Sequence, residues 1–244
     1  MISWKPIIKD STFILLAGIQ QIGCSMSKIA ILSCNLGNFD KVIKPVDQEL
    51  PDGIEQIDYH CYTDSDFPPI TGLTPRLQYR IPKLFGWQMF PGYDYYIWLD
   101  GGCSFLRADS VKYYLEQLSD ADMTFFKHPS RRNARQETAH IEEHLQLGKP
   151  YITSRYKNGL HKEQLADIQS DKDYKDDKLY ASTTFIYKDS KEVRDAMKMW
   201  WLHQSRYFTC DQIVLPYVVR NLAVKTFDQP IYKTGYMSLV SKHK

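Results

Sequence analysis

The stretch Tyr93-Asp94-Tyr95-Tyr96-Ile97-Trp98-Leu99-Asp100-Gly101-Gly102 decides how the rest of the chain is read. From Tyr95 to Leu99 it is an unbroken aromatic and aliphatic run of the length of a central strand. Asp100 falls where that strand meets two glycines, which take backbone angles closed to other residues and set no side chains beside the carboxylate. Ligands of open α/β sheets gather at the carboxyl ends of the strands. A carboxylate there is placed to meet a hydrated divalent cation and the phosphates it carries. That is nucleotide-sugar transferase chemistry, with an ordinary Asp-Gly turn as the plainer alternative.

Outward from this strand, hydrophobic and helical patterns alternate. Strands are expected at Ile29–Ser33, Ile57–Tyr62, Met123–Phe126, Tyr180–Tyr187 and Ala223–Phe227. Helices are expected at Pro75–Phe90 with a kink at Pro82, Asp109–Leu118, Ser190–Tyr207 and Asp211–Asn221 with a break at Pro216. Val193, Met197, Trp200 and Trp201 mark the buried face of the third of these helices. Between Ser130 and Lys178 the chain is polar and helical, a lid or acceptor surface, and its charged run Asp171–Lys178 reads as a solvated loop. The βαβ order predicts a mostly parallel α/β sheet covered by helices.

At 244 residues and 43% hydrophobic, the chain can bury one substantial core, so a single domain over residues 26–244 is expected. The near balance of 31 Lys and Arg against 29 Asp and Glu carries no polyanion-binding field and excludes nucleic acid as the expected partner. Five dispersed cysteines without a C-x-x-C pair read as reduced thiols in a cytoplasmic protein. Phe13–Ile19 is too short to span a bilayer, and the preceding Asp10 argues against a signal peptide. Gln21 stands where a lipoprotein site needs an aliphatic residue. Residues 1–25 are therefore expected to be an extension or disordered arm.

Arg76, Arg80 and Lys83 recur at spacings of four and three, which puts three cations near one helical face ahead of Asp100. They suit a diphosphate leaving group; a solvated helix face is the plainer alternative. His128 follows a strand end and is a candidate base, acceptor contact or metal ligand, or a turn histidine. Arg131 and Arg132 beside it would reach donor phosphates or an anionic acceptor. His140-Ile141-Glu142-Glu143-His144 matches the H-x-x-E-H pattern of inverted zinc peptidases, so a zinc hydrolase using His140, Glu143 and His144 is one alternative function.

The ordered series Tyr62-Thr63-Asp64, Arg76 to Lys83, Tyr93 to Gly101, Lys127-His128-Pro129 with Arg132, and Cys210-Asp211-Gln212 resembles a glycosyltransferase-like family long known only as a domain of unknown function. Its members include bacterial polysaccharide-cluster proteins and plant proteins of cell-wall or mucilage synthesis. The resemblance runs from Lys28 to about Phe227. It implies a glycosyltransferase-A-like fold, a nucleoside-diphosphate sugar as donor, UDP-linked in the first instance, and a glycan or other hydroxyl acceptor. Asp100, with Gly101, matches the start of the Asp-x-Asp motif that holds Mn²⁺ or Mg²⁺ in such transferases, but Gly102 stands where the second acid belongs. Asp64 is placed toward the nucleoside. Asp211-Gln212 matches the pair that meets the sugar or acceptor, which makes Asp211 the candidate general base or sugar-positioning acid; a helix N-cap is its plainer role. A catalytically inactive sugar-binding scaffold of the same fold is the third functional class.

Overall fold

Strands with hydrophobic residues on consecutive positions are buried on both faces, and two neighbouring interior strands of this protein obey that rule. In β1 (Ser27–Asn35) and β3 (Tyr95–Asp100), Ile29 to Leu32 and Tyr96 to Leu99 are all buried. The computed structural model describes residues 26–40 and 43–239, so the arm expected over residues 1–25 lies outside the described residues.

The remaining elements are β2 (Ile54–Thr63), α1 (Pro75–Gln78), α2 (Arg80–Met89), β4 (Cys103–Phe105), α3 (Ser110–Leu118), β5 (Met123–Lys127), α4 (Ala134–Gln146), α5 (Pro150–Tyr156), α6 (His161–Gln169), β6 (Tyr180–Lys188), α7 (Lys191–Tyr207), α8 (Asp211–Val218), β7 (Val224–Thr226) and β8 (Met237–Leu239). Six strands form one sheet in the order β2-β1-β3-β6-β5-β7. β1 is parallel to β2 and β3, and β5 is parallel to β7, while β6 runs antiparallel to both β3 and β5. The carboxyl ends of β1, β3 and β5 therefore share one sheet edge with the amino end of β6. A separate two-stranded ribbon, β4 with β8, was not legible in the sequence.

Successive side chains of a strand point to opposite faces. Tyr96 and Trp98 enter the core beside Leu84 of α2, Trp200 of α7 and Val214 of α8, while Ile97 and Leu99 enter the opposite core with Val111 and Tyr114 of α3. By the same alternation Asp100 belongs to the face of Trp98, toward α2.

Several expected details are corrected. The helix expected over Pro75–Phe90 divides at Tyr79, and its non-helical residue is Phe85 rather than Pro82. Pro82 sits in the first turn of α2, where its missing N–H costs least. Pro216 lies inside α8 without breaking it, and that helix closes at Val218 rather than Asn221. In the charged run Asp171–Lys178, Asp176 accepts from the backbone N–H of Ala134 and Arg135 at the start of α4, and Asp171 pairs with Arg220 at 3.0 Å, so the loop is tied down as well as solvated.

α2 lies close enough to β1 that a Cβ at Gly86 would stand 2.3 Å from Cδ1 of buried Leu32. Gly86→Ala is expected to cost about 1–3 kcal/mol through overpacking, against the roughly 1 kcal/mol by which alanine favours a helix over glycine. Urea unfolding checks it, and a midpoint at or above that of the parent would refute the close approach.

Candidate active site

Asp100 leaves the end of β3 with its side chain 31% exposed, at a cleft of about 740 Å³. The strand-tip carboxylate does have neighbours. Its Oδ1 accepts from Nε1 of Trp98 at 2.7 Å, two residues back on the same face, and from Nζ of Lys83 at 3.4 Å. Lys83 reaches it from α2 and is itself only 1% exposed.

Lys83 has a second acid. Its Nζ donates to Oδ2 of Asp211 at 3.1 Å, and Ser182 Oγ of β6 donates to the same oxygen at 3.2 Å. Nε of Arg80 stands 3.2 Å from Asp211 Oδ1, and all three charged side chains are buried. Arg80 also donates to the carbonyl of Thr209 at 2.7 Å, as Arg76 does at 3.0 Å. Arg76 further donates to the Arg155 carbonyl at 2.6 Å and lies over the Tyr156 ring. The three cations read from spacing thus face the Thr209–Asp211 segment. They do not form a solvated helix face.

Asp211 is the first residue of α8, and the N-cap is Cys210 without a side-chain cap bond. Its carboxylate is spent on cations, so the helix-cap alternative does not hold. Burial pushes this carboxyl up, but Lys83 and Arg80 pull it down further, and it is held well below the ordinary carboxylate range. Burial raises Asp100 instead, with Lys83 and Trp98 only partly opposing it. Two carboxylates sharing one ammonium are thereby split, Asp211 firmly ionised and Asp100 the more basic.

Arg76, Arg80, Asp100, Gly101, Asp211 and Gln212 all line the cleft. Lys83 lies behind its wall. Asp64 does not line it either; both its oxygens accept from the backbone N–H of Gly37, at 3.1 and 2.9 Å, and so fix a cleft-lining turn whose φ of +66° suits glycine. His128 is not brought to the cleft. Its Nδ1 accepts from the backbone N–H of Arg131 at 3.0 Å, and burial, then Arg131, lower its pKa to about 4, leaving it neutral near pH 7. Arg131 pairs with buried Glu137.

Sequence reasoning missed Asp40, Arg155, Ser182 and Tyr232 in the cleft wall. Ser182 was hidden because no local pattern gives its strand a direction, and only the antiparallel pairing of β6 brings the strand's amino end to this edge. Asp40 is clamped by its backbone to the Asn35 side chain, at 2.7 and 3.0 Å, and a Cβ at Gly101 would stand 3.2 Å from its Oδ2. Trp98 was legible, since period-two alternation alone sets it beside Asp100.

A divalent ion of the Mg²⁺ or Mn²⁺ kind takes six or so oxygens, commonly with more than one carboxylate. Here Gly102 removes the second strand-tip acid, and the nearest charge to Asp100 is an ammonium. Among the described residues, the group of three carboxylate, imidazole or thiol ligands within reach of one another is His140, Glu143 and His144 on α4, which line neither this cleft nor the second cavity described below. The donor set at Asp100 does not fit the ion. Glu143 is the base in that pattern, which leaves two histidines as ligands, and among the described residues no third joins them, so the hydrolase alternative lacks its third ligand.

The TOD1/MUCI70, glycosyltransferase-like domain family matches residues 73–242, well over half of the chain. The chain belongs to that family. The resemblance carried by Asp100 and Asp211-Gln212 is thereby confirmed, and the α/β class expected with it is the one observed, a mixed and mostly parallel six-stranded sheet flanked by helices. No curated protein matches. Among solved structures the chain is similar to the galactosyltransferase LgtC in complex with donor and acceptor sugar analogues, at 11% identity and TM-score 0.40 over 81% of this chain and 72% of that one. It is also similar to the mannosyltransferase Ktr4p from S. cerevisiae, at 14% identity and TM-score 0.34 over 83% and 69%. At these scores the family assignment rests on the family match alone.

Asp211→Asn leaves two buried cations with one acid fewer, and is expected to cost about 3–5 kcal/mol. A carboxyl held below its unfolded value contributes stability that is present above the ordinary carboxylate range and lost as pH falls toward its native value. The deficit of the variant should therefore be full near pH 7 and shrink in acid. Equal urea midpoints of the two proteins at pH 7 would contradict the network.

Proposed function

We propose that the protein is a glycosyltransferase that moves a sugar from a nucleoside diphosphate to a hydroxyl acceptor, a glycan in the first instance, with charge on the departing diphosphate met by side-chain cations. The observation that carries this reading is the family's Asp-Gln pair brought into one cleft with the strand-tip Asp100, backed by the Lys83–Asp211–Arg80 network. Arg76 and Arg155 line the open part of the cleft, and Arg155 lies over the Tyr151 ring at 4.2 Å. Positioned cations stabilise the charge that develops on a leaving diphosphate.

In this reading the acceptor oxygen attacks the anomeric carbon, the bond from that carbon to the diphosphate breaks with its electron pair leaving on the diphosphate, and the hydroxyl proton passes to Asp100. Asp100 takes the role of base because it is the more basic and more exposed carboxylate of the pair. Asp211, a poor proton acceptor while two cations hold it, orients Lys83 and, with Gln212, shapes the sugar side of the cleft. No step is routed through a divalent ion, since the residues do not fit one. His128 lines the second cavity and not the cleft, so it has no part in the chemistry.

A nucleoside diphosphate, UDP or GDP, is expected to raise the melting temperature, since a ligand bound only by the native state must stabilise it. The rise should be the same in EDTA and in Mn²⁺. Asp100→Asn should keep the fold and the nucleotide-induced shift while lowering turnover about 10²–10⁴-fold, the usual span for a lost general base. A shift that requires Mn²⁺ would restore the metal-dependent mechanism, and no shift with any nucleoside diphosphate would remove the transferase reading.

A further inference from the structure

Four cations outside the cleft line a second cavity of about 430 Å³. It is lined by Lys127 and His128 at the end of β5, by Arg131 and Arg132 in the following turn, by Lys178, and by Tyr180 at the start of β6. Arg131 is neutralised by Glu137. The side chains of Lys127, Arg132 and Lys178 are exposed and make no hydrogen bond or ion pair among the described residues, and Asp177 is the one acid in the lining. His128 is held neutral by burial and by Arg131, and adds no charge of its own near pH 7. The cavity therefore carries an excess of positive charge that the fold itself does not consume.

Its position relates it to the cleft. Because β6 is antiparallel to β3 and β5, its amino end emerges at the edge where β3 and β5 end. Ser182 and Thr183 line the cleft, Tyr180 lines the cavity, and Tyr180 pairs directly with Lys127. Asp100 lies one residue beyond the Leu99–Thr184 pair and Lys127 pairs with Tyr180, so two strand spacings of about 4.8 Å across and three residues of about 3.3 Å along the strand set them roughly 14 Å apart. A short oligosaccharide spans that distance.

We infer that the Lys127–Arg132–Lys178 cavity is a subsite for an acidic group, carboxylate or phosphate, borne by the acceptor glycan a few sugars from the hydroxyl that reacts in the cleft. The inference rests on the transferase reading for the identity of the acceptor, and on the cavity alone for its charge. Arg and Lys together suit such a group, Arg by its planar fork and Lys as a compact charge. The site selects between acceptors and takes no part in bond making. Its loss should therefore weaken acceptor binding without changing donor binding.

The test is calorimetry on the full chain with three probes: an alginate oligosaccharide, its carboxyl-reduced neutral counterpart, and a phosphorylated oligosaccharide. At least one acidic probe should bind more tightly than the neutral one, more weakly as salt rises, and about tenfold or more weaker to the triple variant Lys127→Gln, Arg132→Gln, Lys178→Gln. Which acidic probe binds identifies the group. UDP binding and melting temperature should be unchanged in the variant, whose substitutions are exposed and outside the cleft. Equal binding of neutral and acidic probes, or acidic binding that survives the triple substitution, would overturn the subsite. UDP binding measured separately keeps the two readings apart: acidic-glycan binding without UDP binding would leave the subsite and remove the transferase, and the converse would do the reverse.

Discussion

A buried ammonium between two carboxylates organises this protein. Lys83 comes from α2, Asp100 from β3 and Asp211 from α8, so one side chain ties together a helix over the sheet, the central strand and the helix that closes the cleft. Arg80 adds a second buried cation against Asp211, and Ser182 ties β6 to the same oxygen. Removing charges from water is expensive and their attraction repays it only when each finds its partners. The elements are thus held in a single arrangement in which every member is compensated, and that arrangement is also the wall of the cleft.

The same network decides how the two acids differ. Asp211, deep and facing two cations, is fixed in its ionised form, whereas Asp100, facing the cleft and bonded by Trp98 and one shared ammonium, retains basicity. A strand tip with a single acid, where Asp-x-Asp transferases have two, is then a site whose positive charge comes from the chain itself. Gly101 contributes by omission: a Cβ there would press on the Cys34 carbonyl at 2.8 Å and on Asp40, so the loop after β1 closes directly over the strand tip.

Reversal of one strand does much of the rest. Had β6 run parallel to its neighbours, Ser182 and Tyr180 would lie at the opposite edge, and the cleft and the basic cavity would have no shared wall. Antiparallel β6 between β3 and β5 sets both concavities side by side on one edge, and α5 adds Tyr151, Arg155 and Tyr156 to the cleft wall.

The sequence by itself determined the strands and helices that carry strong periodicity, because burial on one or both faces imposes a local pattern that needs no knowledge of neighbours. It also determined that Asp100 ends a central strand, that Asp211-Gln212 opens a helix, and that the ordered series of motifs belongs with glycosyltransferase-like proteins. Only the tertiary structure decided what those residues touch. Spacing grouped Arg76, Arg80 and Lys83, but it showed neither that the helix divides at Tyr79 between the first and the other two nor that all three turn inward toward Thr209–Asp211, more than a hundred residues away. Nor could spacing show that His128 caps its own turn outside the cleft, that β6 is reversed, or that Asp40 and Arg155 enter the cleft wall. Strand direction and long-range charge pairing are properties of the assembled chain, set by which surfaces meet when the two cores close, and no local pattern encodes them.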